Sequence, residues 1–284
     1  MDLFNRTKKC YKVVKLPKTL ASETYGLKGC CERFLVLAGG TDDWQNDKTS
    51  AFIKLSLLSD NCTIVLKNDN GNNAIYQPNL TKFPNDDLGY YATIDWKSVL
   101  TSDGVGCYKI EVNYNISGVT GTINWGEYEL KQYSPDNAKG TVRLKAIFNQ
   151  YNLIDEINMS GSNMVDTLRF NGYFGDRQPN TEIDNLIYQN RTIYNVQREN
   201  INSYTLESDQ LTVNYTRKML DLFFISESDL YVSDHTPDNH TSEYKNTPIS
   251  VNESAEIEYY KESKLAKVKI NLFDKKRSQL TKFM

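Results

Sequence analysis

Between Cys107 and Ile116 every second residue is apolar or aromatic: Tyr108, Ile110, Val112, Tyr114 and Ile116 alternate with Lys109, Glu111, Asn113 and Asn115. A strand sends successive side chains to opposite faces, so a period of two builds one dry face and one wet face, as antiparallel sheets allow. The same period recurs along the chain. Ile53, Leu55 and Leu57 alternate with Lys54 and Ser56; Tyr90, Ala92, Ile94 and Trp96 with Tyr91, Thr93 and Asp95. Val142, Leu144, Ala146 and Phe148 alternate with Arg143 and Lys145, and Ala266, Val268, Ile270 and Leu272 with Lys267, Lys269 and Asn271. A chain patterned this way in five places is expected to be mainly β. Composition agrees, with 29 Asn against 9 Ala and with 19 Tyr. Alanine is the best helix former, asparagine competes with the helix for backbone hydrogen bonds, and aromatics suit strands. An AT-rich genome would write the same skew.

Turn chemistry suggests how the strands join. Ser59-Asp60-Asn61 reads as a hairpin turn between Phe52–Leu58 and Cys62–Lys67, and Thr101–Gly106 as the bend of a second hairpin joining Tyr90–Trp96 to Cys107–Ile116. Short strands follow at Thr122–Trp125 and Tyr128–Gln132, then Leu168–Phe174, runs through Ile183–Leu206, and a last hairpin opening at Ile257–Tyr260. One segment departs from the pattern. Tyr215–Ser226 sets Met219, Leu220, Phe223 and Phe224 at helical spacing and predicts a single amphipathic helix. Ser134-Pro135-Asp136-Asn137 is the clearest break in mid-chain. With 284 residues to place, the expectation is two β-rich, sandwich-like domains, residues 1–134 and 135–284, the second with one helix packed on its sheet.

A net charge of −3 argues against a protein whose work is neutralising phosphates along nucleic acid. That value hides an uneven distribution. Residues 1–20 hold six Lys or Arg and one Asp (+5), residues 261–284 eight and two (+6), so residues 21–260 carry −14. Basic ends around an acidic middle suit contacts between subunits, with Lys8, Lys9, Lys12, Lys275, Lys276 and Arg277 as the charged anchors. No secretory leader or membrane span is expected, because the first ten residues lack an apolar stretch and Phe34–Ala38 is far too short to cross a bilayer. Five cysteines without C-x-x-C spacing read as free thiols.

No catalytic constellation emerges. The two histidines, His235 and His240, share one loop with Asp234 and Asp238 at a spacing that matches no zinc pattern. The loops Thr41–Asp47 and Asn68–Asn73 are rich in oxygen ligands but misfit the twelve-residue calcium loop, and Gly39-Gly40 and Gly104-Val105-Gly106 lack phosphate-loop spacing. All read as turns. Nine Asn-x-Ser/Thr triplets read as compositional. No metal and no cofactor is expected. Trp44 and Trp125, beside polar loops, are candidates for stacking on sugar rings, whereas Trp96 belongs to an apolar face.

Three stretches, YYATIDWKSVLTSDGVGCYKIEVNY (Tyr90–Tyr114), VDTLRFNGYFGD (Val165–Asp176) and YTLESDQLTVNYTRKMLDLFFISESDLYVSD (Tyr204–Asp234), make the chain resemble virion tail proteins of short-tailed, crAss-like phages of Bacteroidetes. The resemblance implies a non-enzymatic virion component made in the host cytoplasm. It would be a ring, hub or adaptor of six or twelve copies that docks other tail or portal proteins, and no functional residue is carried over. The alternative from another class is a carbohydrate-binding β-sandwich used in receptor recognition, resting on Trp44 and Trp125. A glycosidase would need two carboxylates about 5–10 Å apart.

Overall fold

The computed structural model describes residues 33–116, 118–149, 151–152, 157–187, 193–224, 228–235, 244–251, 254–260, 265–275 and 278–281. The protein is mainly β. Before residue 134 run β1 (Phe34–Ala38), β2 (Lys48–Lys54), β3 (Asn61–Asn68), β4 (Thr81–Lys82), β5 (Gly89–Asp95), helix α1 (Trp96–Ser102), β6 (Gly106–Ile116) and β7 (Val119–Gln132). A helical turn, α2 (Pro135–Ala138), leads to β8 (Thr141–Phe148), β9 (Tyr151–Asn152), β10 (Ile157–Asn158), β11 (Met164–Ile187), β12 (Ile193–Ser208) and β13 (Leu211–Thr212). Then come α3 (Val213–Lys218), a π-helical turn (Met219–Phe224), β14 (Ser228–Asp234), β15 (Thr247–Val251), β16 (Glu256–Tyr260), β17 (Leu265–Asp274) and β18 (Ser278–Thr281).

The first half forms two small sheets, β1-β7-β6-β3, with β1 parallel to β7, and β2-β5-β4. In the second half β17-β15-β14-β8-β11-β12 pair in that order, and β12 pairs back onto β17, which closes a six-stranded antiparallel barrel. Closure removes the open edges that a flat sheet would expose. The larger of the two expected units is therefore a barrel and not a sandwich. Each named sheet draws its strands from one side of residue 135, yet the buried core is one cluster running from Phe34 through Trp96 and Tyr128 to Leu144, Phe170 and Ile270.

Alternation located the strands better than their partners. The two expected hairpins do not form, because β2 pairs with β5 and β3 pairs with β6. The turn at Leu57–Asp60 carries the chain from one sheet to the other, leaving Leu57 and Leu58 exposed. Between β5 and β6 the period changes from two to helical, with Trp96, Val99 and Leu100 one turn apart. Asp95 caps this helix by accepting from the Lys97 N–H, and Gly104, at φ +85°, follows its end. Thr122–Trp125 and Tyr128–Gln132 are one strand, β7, and its register against β6 skips Trp125. The strong return strand is confirmed: Ala266, Val268, Ile270 and Leu272 are all buried, and β16 pairs with it as a hairpin.

The expected helix starts two residues early and opens into the π-helical turn, burying Tyr215, Lys218, Met219, Leu222 and Phe223. Trp96 has no exposed surface, and its Nε1 donates to Thr49 Oγ1 at 2.9 Å. Trp96→Ala is expected to cost about 3–5 kcal/mol of stability, read as a lowered denaturant midpoint at unchanged slope.

Candidate functional site

The densest polar cluster lies where the first half meets the barrel. Gly39, at φ +101°, starts a tight loop that Asn46 staples: its Nδ2 donates to Gly40 O and Asp42 O, and its Oδ1 accepts from the Gly39 N–H. The loop delivers Asp47 to the start of β2, where its side chain is wholly buried. There its carboxylate accepts from the Leu37 N–H of β1 at 2.8 Å, from Arg143 Nε of β8 at 2.7 Å and from Arg169 Nε of β11 at 2.9 Å. Arg143 and Arg169 stand directly opposite each other in the β8–β11 register. Two like charges facing across a ladder repel, and buried they would be untenable without an anion between them.

Further donors of both guanidiniums are also placed. Arg143 Nη2 donates to Asn46 O and Asp43 O, Arg143 Nη1 to Asn246 Oδ1, and Arg169 Nη1 to Thr141 Oγ1. Asn246 takes a left-handed backbone, φ 50°, which asparagine tolerates better than most residues. Its Nδ2 donates to Asp43 Oδ2, which also accepts from Lys145 Nζ at 2.7 Å. Burial works to raise the Asp47 pKa, but the two guanidiniums and the Leu37 N–H outweigh it and hold the carboxyl below its usual value.

His235 sits beside this cluster with no exposed surface, and neither ring nitrogen has a hydrogen-bond partner among the described residues. Burial, then the nearby Arg169 and Lys245 charges, drive its pKa down to about 2, so the ring is neutral. It lies against Trp44, ring centroids 5.5 Å apart; Trp44 also meets Tyr133 edge-on and carries Lys245 Nζ 4.3 Å above its face. This is a packed aromatic stack. Among the described residues no nucleophile is hydrogen-bonded to His235.

A second buried pair lies one layer away. Lys218 Nζ reaches both oxygens of Asp166, at 3.2 and 3.1 Å, and lies over the rings of Phe34 and Tyr128 at 5.1 and 5.7 Å. Tyr215 ties the same layers together, its hydroxyl accepting from the Leu35 N–H and donating to Arg169 O. Burial raises the Asp166 pKa to about 6 against the pull of Lys218.

The residues singled out in the sequence fall differently. Trp125 is the bulged residue of β7, turned inward and packed edge-on against Phe52 at 5.0 Å. Only 8% exposed, it offers no platform for a sugar. Trp44 is half-buried under Lys245. Lys275 pairs with Asp229 of β14 within the chain, while Lys8, Lys9, Lys12, Lys276 and Arg277 lie outside the described residues, as do Asp238 and His240. The Asn68–Asn73 loop is a turn in which Asn68 Oδ1 accepts from the Asn70 and Asn72 N–H groups. Among the described residues no three His, Cys, Asp or Glu side chains are placed to hold a metal ion. Cys62 and Cys107 are free thiols.

Sequence reasoning assigned Arg143 to a wet face and gave Arg169 no role. A signal existed: the chain has 24 Lys and only 9 Arg. An Arg standing where Lys is the default marks a site that needs the planar five-donor fork. No protein-family model matches the chain, and no curated protein or solved structure is significantly similar to it.

Two predictions follow from these pairs. Asp47→Asn leaves two buried guanidiniums without an anion and is expected to cost about 3–5 kcal/mol, measured by chemical denaturation at pH 7. Asp166, whose folded pKa is raised from the ordinary 3.8 of an aspartate to about 6, binds its proton more tightly folded than unfolded, so its contribution to stability falls as pH rises from about 4 to about 6. Subtracting the Asp166→Asn stability profile from the wild-type profile should isolate that fall; a difference that rises with pH in this window would refute the assignment.

Proposed function

We propose that the chain is a structural subunit of a phage tail, assembling as a homo-oligomeric ring, hub or adaptor that docks other tail or portal proteins. The observation that carries this reading is the β11–β12 ribbon. β8 covers β11 only over Met164–Asn171, and β17 and β18 pair with β12 over Ser203–Glu207 and Gln197–Asn200, whereas β11 and β12 go on pairing with each other out to Ile187 and Ile193, past every third strand among the described residues. An isolated two-stranded ribbon is marginal in water and gains its stability from what covers it. A barrel that extends such an arm is built to engage a neighbour.

Charge supports the same reading. Ends of +5 and +6 against a middle of −14, with Lys267 and Lys275 already paired to Glu207 and Asp229 within the chain, would favour end-to-middle contacts between copies, which speed encounter and fix orientation more than they add affinity. The buried latch supplies rigidity, since Asp47, Arg143 and Arg169 spend their hydrogen-bonding capacity inside the chain. The resemblance to crAss-like tail proteins points to a ring of six or twelve copies.

Native mass spectrometry of the full chain, from low salt to about 1 M, where the Debye length falls to about 3 Å, tests the proposal. One closed assembly of fixed copy number that loosens at high salt is expected. A 32.6 kDa monomer at every concentration and salt would contradict it.

A further inference from the structure

We propose that His235 makes one end of the barrel acid-sensitive: the turn that carries Trp44 covers the imidazole only while the ring is neutral, and lifts from it once the ring takes up a proton. The device is built into the fold and is independent of the assembly proposed above.

The ring cannot escape by itself. β14 ends at Asp234 and β8 begins at Thr141. Beside that corner the His235 N–H donates to Thr141 O at 3.0 Å, and its carbonyl accepts from the Gly140 N–H at 2.9 Å. With its backbone pinned on both sides, the residue has no exposed surface. Neither Nδ1 nor Nε2 finds a hydrogen-bond partner among the described residues. Buried polar atoms are nearly always paired, and an apolar side chain here would carry no such penalty. A titratable ring in this position is therefore costly to the fold unless its proton has a use.

The surroundings decide which charge the ring tolerates while covered. Arg143 of β8, Arg169 of β11 and Lys245 act on it as cations, against the one carboxylate of Asp47, which both guanidiniums already engage. Tyr133, just after β7, meets the ring edge-on. On its own strand, the Asp234 carbonyl accepts from Lys245 Nζ. On the covering turn, Asp43 is bound by Lys145 and Asn246. An imidazolium would add a fourth cation and a second N–H with no acceptor among the described residues. The Trp44 face would attract it, but that ring already holds Lys245 Nζ 4.3 Å from its centroid. Burial first, and then these charges, hold the covered ring down to about 2 from its ordinary 6.5. The covered form thus binds fewer protons than the open form, so opening is favoured increasingly as pH falls below about 6.5.

The tether of the cover is Asn246. The Asp43 carboxylate accepts from Lys145 Nζ and Asn246 Nδ2, and the Asp43 carbonyl from Arg143 Nη2. Asn246 is anchored in turn by its N–H, which donates to Ser233 Oγ at 2.9 Å, and it holds this place with a left-handed backbone, φ 50°. These ties are separate from the bonds of Asp47 to Leu37, Arg143 and Arg169. The turn can therefore lift while the latch stays closed.

Native-state hydrogen exchange at the Asn246 amide of the full chain tests this, with rates corrected for the intrinsic effect of pH. In the wild type the opening constant is expected to rise about twentyfold between pH 6 and pH 4.5, the response of one imidazole that titrates near 6.5 when open and not when covered. The opening should be local, insensitive to low denaturant. His235→Phe keeps an aromatic ring in the space and does not titrate, so its profile is expected to stay level. Should that variant misfold, His235→Gln, also neutral throughout, takes its place. A level wild-type profile, a rise that the folded variant retains, or exchange at Asn246 through global unfolding alone overturns the proposal.

Discussion

One carboxylate, that of Asp47, lets two arginines occupy facing positions on neighbouring barrel strands without exposed surface on its own side chain. The rest of the structure depends on that arrangement. β1 is joined to it through the Leu37 N–H, β2 begins at the residue after it, and β8 and β11 meet across it. Neighbouring bonds run the same way: Lys48 N–H donates to Thr167 Oγ1, which donates back to Lys48 O, and Ser50 Oγ donates to Val165 O. Buried ion pairs are weak sources of net stability but severe to break, since removing one partner strands the other. Such a latch fixes how two substructures sit far more than it strengthens either.

This bears on the mid-chain break at Ser134–Asn137. Sequence alone reads it as a junction between domains, and the strands do change sheets there: Ser134 caps a short helical turn and β8 opens the barrel. Yet Asp47 and Arg169 are 122 residues apart and in contact. Turn chemistry reports the local bend; it carries no information about a bond that closes over such a distance.

The same distinction separates what was legible from what was not. Alternation along Ala266–Leu272 and Val142–Phe148 specifies buried faces, because burial of one face needs only the local period. Partner choice needs the opposing strand, so Phe52–Leu58 and Cys62–Lys67 were joined by proximity when each belongs to another sheet. Trp125 misled for a related reason: a bulge reverses the side to which a residue points, and nothing in Thr122–Gln132 announces it. The helix around Met219 was legible through its apolar spacing, while its π-helical turn was not. The latch was half-visible, in the rarity of arginine, and its aspartate not at all.

First half and barrel, held together at Asp47, should behave as one cooperative unit. Native-state hydrogen exchange tests it directly, by comparing opening free energies at Leu37, whose N–H is bound to Asp47, and at Lys48 with those at Leu144 and Arg169 in the barrel. All four are expected to exchange through the same global opening and to respond to denaturant with one slope. Exchange at Leu37 and Lys48 through a separate, much cheaper opening, with the barrel amides still protected, would contradict it.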